Sequence, residues 1–140
     1  MLRYMLRVAL ATFLLSVGAC ASMNASHAPD ANLKTLKTYY VVHVTEDDHN
    51  IDKLISTRLT SMGYTATSGE NGTPPQPVDA VVNYVDHWMW DMSMYLLRLT
   101  IQVHDGKSGA VIASGESYRP SLQRKSPEAM VDEVLAEMFK

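Results

Sequence analysis

Cysteine is almost missing from these 140 residues. The single copy, Cys20, excludes an intramolecular disulfide framework and a multi-cysteine zinc site. A large excess of either charge is missing too. Twelve Lys and Arg against 15 Asp and Glu leave a net charge of −3, far from the basic surplus of a dedicated nucleic-acid-binding domain. No long apolar run occurs. The uncharged stretch Val8–Gly18 would span about 16 Å as a helix, against the roughly 30 Å of a bilayer core. There is no Gly-x-Ser-x-Gly elbow, no His-Glu-x-x-His helix and no phosphate-cradling Gly-rich loop. What remains, 46% hydrophobic and 19% charged, suits one folded domain.

The first residues read as an export signal. Arg3 and Arg7 form a positive start, Val8–Gly18 an apolar middle, and small residues lead into the cysteine as Val17-Gly18-Ala19-Cys20. This order resembles the lipobox of bacterial lipoproteins. The resemblance implies cleavage between Ala19 and Cys20, diacylglycerol on the Cys20 thiol and a fatty acyl chain such as palmitate on the new amino group. An ordinary secretory signal cut at Ala19 or Ala21 is the competing reading. In Gram-negative lipoproteins an Asp after the cysteine marks retention in the inner membrane. Ala21 stands there instead, which implies the outer membrane and its periplasmic face. Removing the signal takes away two arginines and no acid, leaving a net charge of −5. That balance argues against adsorption to anionic lipid or nucleic acid and leaves the acyl chains as the membrane attachment.

Residues 1–19 are therefore assigned to the signal peptide, and 20–37 to the lipidated cysteine and a flexible tether, small and polar without periodicity. Residues 38–140 make a single globular domain. Strands are expected at Tyr39–Thr45, Tyr64–Thr67, Val78–Asp86, Ser93–His104 and Ala110–Tyr118, the last two joined by the tight turn 105–109. In Ser93–His104, Tyr95, Leu97, Leu99, Ile101 and Val103 alternate toward the core. Ile51, Leu54, Ile55, Leu59 and Met62 recur at helical spacing behind Glu46, Asp47 and Asp48, with Gly63 just past the end. A last helix opens with Ser126, Pro127 and Glu128 and turns Met130, Val131, Val134, Leu135, Met138 and Phe139 inward, with Asp132, Glu133 and Glu137 outward. The order β-α-β-β-β-β-α predicts an α+β fold: an antiparallel-rich sheet with two helices packed on one face.

Both tryptophans and a cluster of methionines fall in Asp86-His87-Trp88-Met89-Trp90-Asp91-Met92-Ser93-Met94-Tyr95. His87, Trp88, Met89 and Trp90 are the candidate partner-binding residues, with Trp88 and Trp90 pointing the same way along an extended segment to form an aromatic surface at the junction of two strands. A long hairpin whose side chains cover the core is the plainer alternative. His87, Met89, Met92 and Met94 are also soft ligands suited to Cu(I), although extended chain puts the first two and the last two on opposite faces. Asp86 and Asp91 are the one carboxylate pair worth considering for a hydrolase. The basic run 119–126 reads as a solvated loop. No cofactor is expected, and no catalytic residue is assigned.

From Tyr84 to Phe139 the sequence resembles a family of small uncharacterised proteobacterial outer-membrane lipoproteins, through Trp88-Met89-Trp90-Asp91, the Ala113-Ser114-Gly115 turn and Lys125-Ser126-Pro127-Glu128. The resemblance implies an envelope location and no mechanism. The expectation is a non-catalytic lipoprotein offering a surface to an envelope protein partner. A periplasmic small-ligand or Cu(I) binder and an envelope hydrolase are the alternatives.

Overall fold

The computed structural model describes residues 20–140. The expected signal peptide, residues 1–19, and the Ala19 side of the expected cleavage point lie outside the described residues. Strand β1 is Ser22–His27, β2 Thr38–Val42, β3 Thr65–Gly69, β4 Ala80–Asp91, β5 Ser93–Asp105 and β6 Val111–Tyr118. Helix α1 is Ile51–Ser61 and α2 is Pro127–Met138. The six strands form one sheet in the order β1-β6-β5-β4-β2-β3. Only β2 is paired in parallel, with β3 and with β4. The remaining ladders are antiparallel. This is the α+β arrangement expected, with one strand more.

That strand is a correction. Residues 20–37 are not a free tether: Ser22–His27 pairs along its whole length with β6, from Ser22 opposite Tyr118 to His27 opposite Ala113. Met23 and Ala25 pack against the core, and Leu33, in a 3₁₀ turn at Leu33–Thr35, is buried. The folded domain thus begins at residue 22 rather than 38. β1 covers an edge of β6 that would otherwise present unpaired backbone groups. Its sequence is polar because only one face of it meets anything apolar.

The core lies between the sheet and the two helices. Val41, Val82, Leu99, Ile101 and Val103 from the sheet meet Ile51, Ile55 and Leu59 of α1 and Met130, Val134, Leu135 and Met138 of α2. β4 takes an interior place in the sheet and alternates: Ala80, Val82 and Tyr84 are buried while Asn83 and Val85 face out. Close approach of α2 to the sheet depends on Gly115 in β6. A Cβ there would sit 2.7 Å from Met138 Cγ and Sδ and 2.8 Å from Val134 Cγ1.

Helix α1 ends as its sequence predicts, with Gly63 at φ +97°. It starts less conventionally. Asn50 occupies the N-cap position at φ 57° and makes no side-chain cap bond. Asp47 supplies it instead, accepting from the Ile51 N–H at 2.6 Å and the His49 N–H at 2.7 Å. Helix α2 is capped as expected, Ser126 Oγ accepting from the Ala129 N–H at 3.1 Å.

Candidate functional site: the β4–β5 arm

The two longest strands, β4 and β5, run on past the rest of the sheet. β5 is matched to β6 only as far as Arg98, opposite Tyr118, whereas its ladder with β4 continues to Ser93 opposite Asp91. Residues 87–97 are therefore a projecting arm. The tryptophans are within a strand rather than at a junction between strands.

The arm carries a bulge. His87 pairs with Arg98 and Trp88 with Leu96, so Leu97 is an extra residue on β5. The expected inward row is corrected at this point: Leu96 is buried in place of Leu97, and Tyr95 falls on the outer side with Met89. Without the bulge, the alternation that buries Leu99 and Ile101 would turn Leu96 to solvent.

The four sequence-selected residues divide between two faces. Trp88 and Trp90 share one face, as expected, but not one environment. Trp88 is half-buried, stacked on His49 with ring centroids 3.7 Å apart, and donates its indole N–H to Asp86 at 2.7 Å. Trp90 has no such shelter and is 69% exposed, opposite Met94 at 53%. His87 and Met89 are on the other face. The strand register therefore does not gather His87, Met89, Met92 and Met94 at one point. Asp86 and Asp91 are also apart, since five residues of strand span about 17 Å. Asp91 is engaged with Ser121 and Arg124 at the tip.

At the tip Met92 holds a left-handed backbone, φ 61°, and is 92% exposed. A side chain other than Gly, Asn or Asp is uncommon in that region, and the surroundings must hold it there. Arg124 does so. Its guanidinium donates to Ser93 Oγ at 2.7 Å, to the Asp91 carbonyl and to Ser121 Oγ at 3.0 Å, and it lies 4.4 Å from the Tyr95 ring centroid. The run 119–126 is thus no solvated loop. It braces the arm.

The brace is itself fixed to α2. Glu133, expected to face outward, accepts from Arg119 Nε at 3.0 Å and Nη2 at 2.6 Å, from Lys125 Nζ and from the buried Ser117 hydroxyl. Burial opposes its charge, yet these donors hold the carboxyl at about 2. Sequence periodicity assigned Glu133 by helix angle alone, and no local signal marks the charges it meets.

Beneath Trp88 lies a second group of ionisable side chains. His43 Nδ1 is 3.0 Å from the buried Asp52, and the hydrogen bond to that carboxylate raises the imidazole pKa. Ligand atoms of His43, Asp47 and Asp52, and of Asp47, His49 and Asp86, lie within 4.8 Å of one another. Asp47 belongs to both sets, but its oxygens already accept from Ile51, His49 and the Tyr84 hydroxyl, the last at 2.7 Å. Burial works against its charge and these three donors more than offset it, lowering its pKa. Asp47 is committed to capping α1.

No family model matches the chain, and no curated protein matches it by sequence. Its likeness is to solved structures. The PelC dodecamer from Paraburkholderia phytofirmans superposes with a TM-score of 0.64 at 15% identity, over 85% of this chain and 98% of that one. A point-substituted form of the same protein gives 0.62 at 17% identity, over 84% and 95%. A DUF4136 family protein from Bacteroides thetaiotaomicron gives 0.55 at 10% identity, over 86% and 98%. At these identities the likeness is one of fold.

The sheet surface away from the helices is open at β4, β5 and β6. There Val85, His87, Leu97, Arg98, Thr100 and Glu116 line a shallow cavity of about 430 Å³. Val85 is 67% exposed, and Glu116 accepts from Thr100 Oγ1 at 3.1 Å with Arg98 at 3.8 Å. At the far side the same surface is closed by the loop after β3, where the buried Tyr40 donates to the Asn71 carbonyl at 3.0 Å.

Proposed function

We propose that this chain is a non-catalytic envelope lipoprotein, held at the periplasmic face of the outer membrane by acyl chains on Cys20. Its folded domain is an interaction module for another envelope component. The observation that carries the reading is the position of Cys20. The only cysteine of the chain ends the lipobox-like run, is exposed, and lies two residues before the first strand of the sheet.

The partner surface is the outer face of β4 and β5, with His87 and Met89 on its arm side and Val85 in its shallow cavity. Val85, Leu97 and Met89 together give that face an apolar group, with Val85 67% and Met89 42% exposed, and a grouped apolar surface is what a partner covers. A second copy of the chain is one partner this surface suits, since the structurally similar PelC assembles as a dodecamer; an unrelated envelope protein would meet the same residues.

Labelling cells with radioactive palmitate tests the anchor: the chain takes up label and Cys20→Ala does not. An unlabelled wild-type chain overturns it. A photoreactive residue in place of Met89 tests the surface, and crosslinks to one envelope protein or to a second copy are expected. Crosslinking no more specific than from Gly72, in the loop after β3, overturns the module.

A further inference from the structure

The expected lipid attachment point and the tip of the arm belong to the same end of the molecule. The Ala21 N–H donates to Gln123 Oε1 at 3.3 Å, so the residue after Cys20 rests on the 3₁₀ turn Ser121–Gln123. The Ser121 hydroxyl of that turn bonds to Asp91, and Arg124, just beyond it, bonds to Ser93 and the Asp91 carbonyl. A short relay of contacts connects the start of β1 to the hairpin tip.

Apolar side chains are exposed at this end. Trp90 is 69% exposed, Met92 92% and Met94 53%, and Leu122, in the turn beside Ala21, is 96% exposed. Of the other large apolar residues that are exposed, Val85 lies on the outer sheet face, Met89 on the outer side of the arm and Val111 at the far end of β6. Those at this end are presented by a brace that holds Met92 in a left-handed conformation.

The register gives the geometry. Ser22, Tyr118 and Arg98 stand at one level across β1, β6 and β5. From Arg98 to Ser93 the arm advances about 15 Å, and from Ser22 back to Cys20 the chain advances about 7 Å in the same direction. The tip thus overhangs the anchor by about 8 Å, within the roughly 5–10 Å to which apolar faces enter the headgroup and acyl boundary. With one residue between Cys20 and β1 there is no slack to turn this end away from the bilayer.

We propose that Trp90, Met92, Met94 and Leu122 are a membrane-docking tip that enters the leaflet holding the Cys20 acyl chains, giving the domain a second point of attachment. Tryptophan suits this place because its indole combines a large apolar body with an N–H for the headgroup level. Arg124 and Lys125 stand behind the tip but are engaged with Asp91 and Glu133, so docking draws on apolar contact more than on anionic lipid. A domain tied at two points has a fixed tilt and keeps the outer face of β4 and β5 turned along the membrane, toward neighbours in the same leaflet.

The inference rests on the lipidated-Cys20 reading, and the experiment separates the two. The full chain, processed in cells and purified from membranes, is reconstituted into vesicles of phosphatidylethanolamine and phosphatidylglycerol, with or without brominated acyl chains. Co-flotation with the vesicles reports the anchor; depth-dependent quenching reports the tip. In Trp88→Phe, which leaves Trp90 as sole emitter, bromolipid is expected to reduce the emission roughly by half, at an interfacial depth. With the thiol of Cys20 occupied, an environment-sensitive dye on Met92→Cys gives the same reading with both tryptophans intact. A chain that floats while Trp90 and the dye remain unquenched overturns the docking tip and leaves the anchor standing. An emission that shifts blue with protein density and ignores bromolipid also overturns it, showing a second copy over the tip. A chain that does not float overturns the anchor and the docking tip with it.

Discussion

Gly115 and Met138 meet with no room for a methyl group between them: a Cβ on the glycine would lie 2.7 Å from the methionine Cγ and Sδ. The strand that pairs with β1 on one side and β5 on the other is thereby brought directly under α2. Gly115→Ala is expected to cost about 1–3 kcal/mol through overpacking. Gly72→Ala, where nothing lies within 4 Å, is expected to stay within about 0.5 kcal/mol of wild type. Urea denaturation of the two variants measures the difference.

Acid stability should depend on Glu133. Its carboxyl pKa falls from 4.5 to about 2 on folding. A group depressed in the native state adds stability above its unfolded pKa and loses it as the pH drops through the folded value. The contribution is therefore complete above about pH 5 and gone by about pH 1. Allowing for solvent screening, it amounts to about 2 kcal/mol. Glu133→Gln should flatten the pH dependence of unfolding across that window. An unchanged slope would remove Glu133 from the account.

Arg124→Ala should release the arm while sparing the core. The lost contacts are those to Ser93, Asp91, Ser121 and the Tyr95 ring, all at one end of the molecule. Amide exchange at residues 91–95 should quicken about tenfold or more, while exchange in β2 and α1 changes little. Hydrogen–deuterium exchange by mass spectrometry resolves the two regions.

His43 titrates against Asp52. The raised imidazole pKa means that the pair adds stability below pH 6.5, the unfolded value, and that this is lost as the pH rises through the folded value. In NMR titration His43 should therefore show its midpoint above 6.5, and Asp52→Asn should bring it back down. A midpoint unmoved by the substitution would assign the shift elsewhere.

Helices α1 and α2 were legible because burial of one stripe repeats with the helical period and because Ser126, Pro127 and Gly63 mark ends by local chemistry. β1 was not, since its pairing with β6 uses backbone groups that every residue carries, and a one-sided edge strand of small polar residues has no period to read. The faces of the arm were half legible. Alternation put Trp88 and Trp90 together correctly, but two adjacent leucines hide the bulge that exchanges Leu97 for Leu96. Arg124 escaped notice because it acts on residues about thirty positions earlier, a distance bridged only once β6 and the turn after it are in place. Glu133 was misplaced because its donors Ser117, Arg119 and Lys125, 8 to 16 positions earlier, come alongside it only when the end of β6 and the turn after it pack on α2.

The pairing of β1 with β6 also sets an order of events. Ser22 emerges early in synthesis, and its ladder partner Tyr118 lies 96 residues later. At roughly 5–20 residues per second the nascent edge waits about 5–20 s before anything can zip onto it. Throughout that interval Ser22–His27 has no ladder to hold it, and Cys20 just before it rides on loose chain. Closure of the last ladder then draws Ser22 and the residues before it against the body, so the N-terminal edge of the sheet is among the last parts to be completed.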